Sequence, residues 1–202
     1  MVMSYLAERN GQAGALPIEQ QILESNPLLE AFGNAKTMKN DNSSRFGKFT
    51  EMHFDDRGRV TGAHIETYLL ERSRVTSIAG GEQGFHIFYQ LLSSASAEMR
   101  ERLLLPPDAG LSMFTYLAQS ATADLGGRSD AEAFAQTLNA MRIVGLEDEH
   151  IEAVLGVVTA VLYVGNIRFE AAEHAAADEA ILCSDEASSM ALANAAYLLG
   201  TS

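Results

Sequence analysis

The chain has no tryptophan, a single cysteine, four prolines among 202 residues, and half as many bases as acids. One cysteine, Cys183, cannot close an internal disulfide, which fits a reducing compartment and leaves a plain thiol. Fourteen Lys and Arg against 27 Asp and Glu give a formal net charge of −13. Nucleic acid and anionic membrane surfaces are therefore poor partners for the whole chain. The longest apolar run, residues 153–164, is about twelve residues where a bilayer needs roughly twenty, so it predicts a buried helix and no membrane insertion. Met1 to Arg9 lacks the basic start and long apolar centre of a signal peptide. The five histidines (His53, His64, His86, His150 and His174) are scattered, without the spacing of a metal site.

The hydrophobic share is 47% and the charged share 20%, which is globular composition. A domain of this length can bury roughly 70% of its unfolded surface. Met1 to Ala7 reads as the end of a helix that begins elsewhere, and Asn10 to Ala15 as a flexible turn. Pro17 suits a first helical position, with Ile18, Ile22 and Leu23 at helical spacing; Pro27 interrupts that helix and residues 28–32 continue it. Residues 33–44 are predicted loop. Residues 46–54 and 60–70 read as two strands joined by a turn at Asp55-Asp56-Arg57-Gly58, a β-hairpin.

After Gly80-Gly81 the pattern is helical. Residues 83–92 carry Phe85, Phe88, Tyr89 and Leu92 on one face, and 97–105 stop at Pro106-Pro107. Ser129-Asp130-Ala131-Glu132 is a capping box opening a helix to about Val144, and Glu147-Asp148-Glu149 starts one to about Val164. Residues 166–170 suit a short strand, 170–186 a solvated acidic loop, and 187–199 a last helix.

Chemistry concentrates in Asn40-Asp41-Asn42-Ser43-Ser44-Arg45-Phe46-Gly47-Lys48-Phe49. Asn40 and Asn42 can donate to phosphate oxygens. Ser44 offers the hard oxygen that magnesium accepts beside water and phosphate. Ser43 can orient a water, and Arg45 is a permanent fork of donors for a carboxylate or phosphate. Phosphoryl transfer is mostly positioning plus charge stabilisation, so the loop is chemically apt. Composition alone favours the plainer reading, a polar loop before a strand.

This run resembles switch I of the myosin motor. So do Asn26-Pro27-Leu28-Leu29-Glu30-Ala31-Phe32-Gly33-Asn34-Ala35-Lys36-Thr37 before it and Tyr68-Leu69-Leu70-Glu71-Arg72-Ser73-Arg74-Val75 after it. Phe85-His86-Ile87-Phe88-Tyr89-Gln90-Leu91-Leu92 and Val161-Leu162-Tyr163-Val164-Gly165-Asn166-Ile167-Arg168-Phe169 extend the likeness in family order. The resemblance implies a mixed α/β fragment of a P-loop NTPase-type motor domain. Residues 1–32 would end the helix after the phosphate loop and a surface loop, 33–49 would be the switch I region, 49–70 a transducer hairpin, and 82–202 helices of the upper 50-kDa region.

It implies Mg2+ and ATP as cofactors of the complete motor, and actin filaments and the remainder of the motor domain as partners, in the cytoplasm on the cytoskeleton. Asn40 would contact phosphates, Ser44 ligate magnesium, Ser43 position water, and Arg45 pair with a switch II glutamate, without which Arg45 would have no partner. Gln83-Gly84 stands where family members usually carry Arg-Asn. The family's phosphate loop, G-x-x-x-x-G-K-[ST], is expected before Met1 and switch II beyond Ser202. Gly47-Lys48 is no substitute, since Phe49 follows it and Asn42 stands where the first Gly is needed. Two alternatives stay open: a catalytically inactive helical interaction module derived from a motor domain, and an unrelated helical domain with a chance loop.

A hairpin and helices lifted out of a larger sheet expose edges and apolar faces. The 202-residue chain alone is therefore expected to be poorly soluble or molten and to bind Mg-ATP weakly. A calorimetric scan showing one cooperative transition at high temperature would contradict this.

Overall fold

A computed structural model describes residues 18–119, 129–171 and 180–201. The expectations for residues 1–17, the placing of Pro17 among them, lie outside these. Helix α1 (Ile18–Glu24) ends at Ser25, whose hydroxyl turns back to the Ile22 carbonyl at 2.7 Å. Helix α2 (Asn26–Gly33) begins at once, with Pro27 in its first turn, where the missing N–H costs nothing. Within the segment predicted as loop, two short strands pair antiparallel: β1 (Asn34–Ala35) and β2 (Ser43–Ser44).

The hairpin is formed by β3 (Gly47–Phe54) and β4 (Val60–Tyr68), with a register shift after His53. Its turn is organised by Asp55, whose carboxylate accepts from the Arg57 and Arg59 amides at 2.9 and 2.8 Å, while Gly58 takes φ 74°. Thr50 and Met52 on β3, opposite Ile65 and Ala63 on β4, form the half-covered face; Phe49, Glu51 and His53 face outward. Helix α1 packs against β4.

Helix α3 (Ser73–Thr76) is one turn. Helix α4 (His86–Ser94) starts three residues later than the periodicity predicts, because Phe85 is still extended and bridges Ala35. Helix α5 (Ala97–Arg102) is capped by Ser96 and stops short of the predicted Leu105, since Leu104 takes φ 56°. A 3-10 turn (Leu111–Met113) leads into α6 (Thr115–Ala118). Helix α7 (Asp130–Ile143) has the predicted cap, Ser129 accepting from the Glu132 amide. Helix α8 (Asp148–Val164) is the long apolar one; at 17 residues it is too short to cross a membrane, and no helix among the described residues is long and apolar enough to do so.

The core lies among α4, α7 and α8. Leu91, Phe114, Met141 and Leu162 are fully buried there, and Phe114 meets Tyr163 edge to face at 5.5 Å. Polar groups inside it are matched: Thr137 donates to Gln90 Oε1 at 2.9 Å, and the Tyr163 hydroxyl donates to the Leu104 carbonyl. Helix α4 sits between this core and the β1–β2 loop, so the loop is mounted on a helix buried over seven consecutive residues, His86 to Leu92.

The acidic segment 170–186 is not all solvated loop. Strands β5 (Phe169–Ala171) and β6 (Ala180–Leu182) pair antiparallel, and Asp185 caps α9 (Glu186–Leu198), which lies along α8. Alternation is too short in three-residue strands for pattern to reveal them. The Cys183 amide donates to Arg168 O, extending the ladder, and its thiol is free.

Asp185 accepts from the Ser188 amide and pairs with Arg168, each at 2.9 Å; these donors, the amide first, hold its pKa at about 2. A depressed carboxyl pKa adds stability above the unfolded value and loses it as pH falls through the folded one. The α9 cap should thus persist through pH 4 and 3. A 13C carboxyl titration of Asp185 should show a midpoint near 2; a midpoint near the ordinary 3.8 would contradict the cap.

Candidate functional site

Residues 40–45 form a loop held from behind. The Asn42 side chain is its post. Oδ1 of Asn42 accepts from Asn34 Nδ2 at 3.0 Å and lies 3.1 Å from His86 Nε2, while Nδ2 of Asn42 donates to Glu30 Oε2 at 2.9 Å. Asn34 and His86 are buried. One carboxamide thus ties the loop to α2, to β1 and to the first turn of α4. His86 acquires a part in the site that its isolated place in the sequence did not signal.

Asn40 is exposed. Its Oδ1 accepts from the Asn42 amide at 2.8 Å, an Asx-type turn that shapes the loop locally, and its backbone carbonyl accepts from the Thr37 amide at 2.9 Å. Lys36 and Asp41 form an ion pair at 3.5 Å across the loop mouth. The exposed Ser44 hydroxyl donates to the Phe46 carbonyl at 3.1 Å, and the half-buried Ser43 hydroxyl accepts from Arg45 at 2.8 Å. Asn40, Ser43, Ser44 and Arg45 are therefore gathered on one short loop, while Asn42 is directed into its support.

Arg45 closes the loop on both sides of its backbone. Its amide donates to the Gly33 carbonyl at 2.8 Å and its carbonyl accepts from the Glu71 amide at 2.9 Å. Gly33 is needed there because a Cβ would come within 2.3 Å of the Phe46 ring. Glu71 reaches Arg45 because Leu69, at φ 55°, turns the chain sharply after β4.

The expectation that Arg45 lacks a partner within the chain is corrected by the structure: its guanidinium meets Glu71 Oε2 at 3.3 Å. The two residues are 26 apart in sequence, a separation that no local pattern reports. Glu71 also meets Arg74 at 2.9 Å, and Arg74 continues to Glu82 at 3.0 Å and to the Gln83 carbonyl at 3.2 Å. Burial pulls the Arg74 pKa down, but the hydrogen bonds it donates to Glu71 and Glu82 outweigh it and the value is raised. The hydrogen bond from Arg74 in turn lowers the pKa of Glu82, which also accepts from the Met38 amide.

The donors at the loop are hydroxyls, carboxamides and one guanidinium, a set suited to phosphate oxygens and to a hard cation that keeps most of its water and phosphate ligands. Among the described residues no group of three or more His, Cys, Asp or Glu could hold a metal by itself.

The family model for the myosin head (motor domain) matches residues 1–202. Myosin-17 of Arabidopsis thaliana is 50% identical over 171 residues, covering 84% of this chain and 11% of that protein. Myosin-9 of the same plant is 46% identical over 201 residues, covering 98% of this chain and 13% of that protein. Protein OPAQUE1 of Zea mays is 49% identical over 171 residues, covering 84% and 11%. The chain thus spans little more than a tenth of the length of these relatives.

If the Asn42 carboxamide is the post, Asn42→Asp sets a second carboxylate against Glu30 and should open the loop. A hydrogen bond to a charged group is worth about 1.5–3 kcal/mol, so trypsin cleavage after Lys39 in the full-length protein should quicken about ten- to a hundred-fold. Adding Glu30→Gln supplies an amide donor to the new carboxylate and should restore protection. An unchanged cleavage rate in the single variant, or no rescue in the double, would contradict this role.

Proposed function

The chain belongs to the myosin head (motor domain) family, and from that premise we propose that residues 40–45 act as its switch I, the loop that senses the nucleotide phosphates in an actin-based, Mg-ATP-driven motor. The observation that carries this reading is the presentation of Asn40, Ser43, Ser44 and Arg45 from a loop pinned at Asn42 and at both sides of the Arg45 backbone. Such a loop places donors without having to order them on binding, which lowers the cost of recognition.

In this reading Asn40 donates to phosphate oxygens, and Asn42 keeps one amide hydrogen for the same purpose while holding the loop. Ser44, whose hydroxyl now donates to the Phe46 carbonyl, would be the residue that holds magnesium. Magnesium, when bound, neutralises charge on the phosphate oxygens. Ser43 aligns a water through its hydroxyl, which is freed when Arg45 turns away from it. Arg45 bridges to a carboxylate of switch II, which with the phosphate loop belongs to the remainder of the motor domain. The β3–β4 hairpin is then a transducer element of the central sheet, and residues 82–202 helices of the upper 50-kDa region. The assembled motor works on actin filaments, in the cytoplasm and bound to the cytoskeleton.

Support for assembly with further chain comes from what the described residues leave uncovered. Both outer edges of the hairpin are unpaired, Phe49 and Leu69 are exposed, and Leu28, Phe32, Phe46, Leu70 and Val154 line an apolar groove of about 350 Å³.

Ser44→Ala in the full-length motor should lower magnesium-dependent ATP turnover at least about 10²-fold, the scale on which a single transition-state donor counts. Turnover within a few-fold of the unaltered protein would remove Ser44 from the site.

A further inference from the structure

Glu71 stands between two arginines of unequal freedom. Arg74 is buried, takes both oxygens of Glu71 (Nε to Oε2 at 2.9 Å, Nη2 to Oε1 at 3.3 Å), and is fixed from its far side by Glu82 and the Gln83 carbonyl. Arg45 makes only one contact with Glu71, 3.3 Å to the oxygen that Arg74 already holds; its other guanidinium bonds go to its own loop, to the Ser43 hydroxyl at 2.8 Å and the Ser44 carbonyl at 3.1 Å, and both Arg45 and Glu71 keep about a third of their side chains in solvent. The Arg74 pair is the structural one. The Arg45 contact is a loose attachment to a carboxylate that stays in place whether Arg45 is there or not.

The backbone makes the attachment reversible. Arg45 is tied through its amide to Gly33 and through its carbonyl to Glu71, so its guanidinium can leave without moving the chain. When it leaves, the Ser43 hydroxyl loses its donor at 2.8 Å and is released at the same moment.

We propose that Glu71 is a dock for the Arg45 guanidinium: an in-chain carboxylate that holds the arginine while no outside anion claims it, and so sets how readily the loop takes Mg-nucleotide. The proposal rests on the switch I reading above and adds a positioning residue to it. Docked and released forms are alternative states, and a ligand that selects the released form binds more weakly by the fraction of protein in that form. Removing the dock raises that fraction. Exposed ion pairs are worth only enough to shift such a balance by about two- to five-fold, so the dock tunes affinity without locking the loop.

The test measures the dissociation constant of a fluorescent Mg-ATP analogue, together with kcat, for the full-length protein and three variants. Glu71→Gln removes the charge. Glu71→Asp draws the carboxylate back from Arg45 while leaving a counter-charge for Arg74. Glu82→Gln takes away the other counter-charge of Arg74 and leaves the Arg45 contact alone. Both Glu71 variants should bind the analogue about two- to five-fold more tightly, with kcat changed less than about two-fold, and the gain should shrink at high salt. Glu82→Gln should not tighten binding. Unchanged or weaker binding in a folded Glu71 variant, or equal tightening in Glu82→Gln, overturns the dock while the nucleotide reading stands. Failure of the unaltered protein to bind the analogue at all overturns that reading and the dock with it.

Discussion

The site depends on one carboxamide. Asn42 is directed into the protein, and it meets Glu30 on one helix, Asn34 on a short strand and His86 at the start of another helix. Each of those partners is itself positioned by something larger: Glu30 by a helix that packs on Asp130–Ile143, His86 by the first turn of the most buried helix in the molecule. An amide suits the post because it both donates and accepts. A carboxylate could not satisfy Glu30, and a hydroxyl could not reach three partners. The loop thus borrows its order from the helical core, and Asn40 and Ser44 are left exposed.

Charge is arranged on the opposite side of the same loop, and there the logic is graded. Met38, Glu82, Arg74, Glu71, Arg45 and Ser43 form a chain of hydrogen bonds that begins just before the loop and ends on it. Arg74 in its middle is buried and shares its charge among several oxygens; its end at Arg45 is only partly buried. Buried, multiply bonded pairs resist change, while an exposed pair at 3.3 Å exchanges partners readily. In the proposed reading, such a fixed middle with a more loosely held end suits an arginine that changes partners, because the group it returns to stays in place.

Much of this was legible in the sequence. The hairpin turn followed from Asp55 and Gly58, the helix after Ser129 from its capping box, and the long helix from its apolar run. The resemblance to the motor family rested on ordered motifs, and the family match over residues 1–202 bears it out. What was not legible was long-range. Glu71 meeting Arg45, and His86 meeting Asn42, join residues 26 and 44 apart, and no periodicity or cap encodes such a meeting. The strand Ala180–Leu182 escaped notice because three residues carry too little alternation to stand out from an acidic, alanine-rich stretch. The late start of the helix at His86 came from Phe85 being held extended against Ala35, a tertiary bridge overriding a good helical pattern.

The most direct measurement is a structure of the full-length protein with Mg2+ and a non-hydrolysable ATP analogue bound. The account predicts the Ser44 hydroxyl at coordination distance from the metal, about 2.1 Å, the Arg45 guanidinium away from Glu71, and the Asn42 contacts to Glu30 and His86 unchanged. A bound nucleotide with Ser44 still donating to the Phe46 carbonyl and Arg45 still on Glu71 would contradict it.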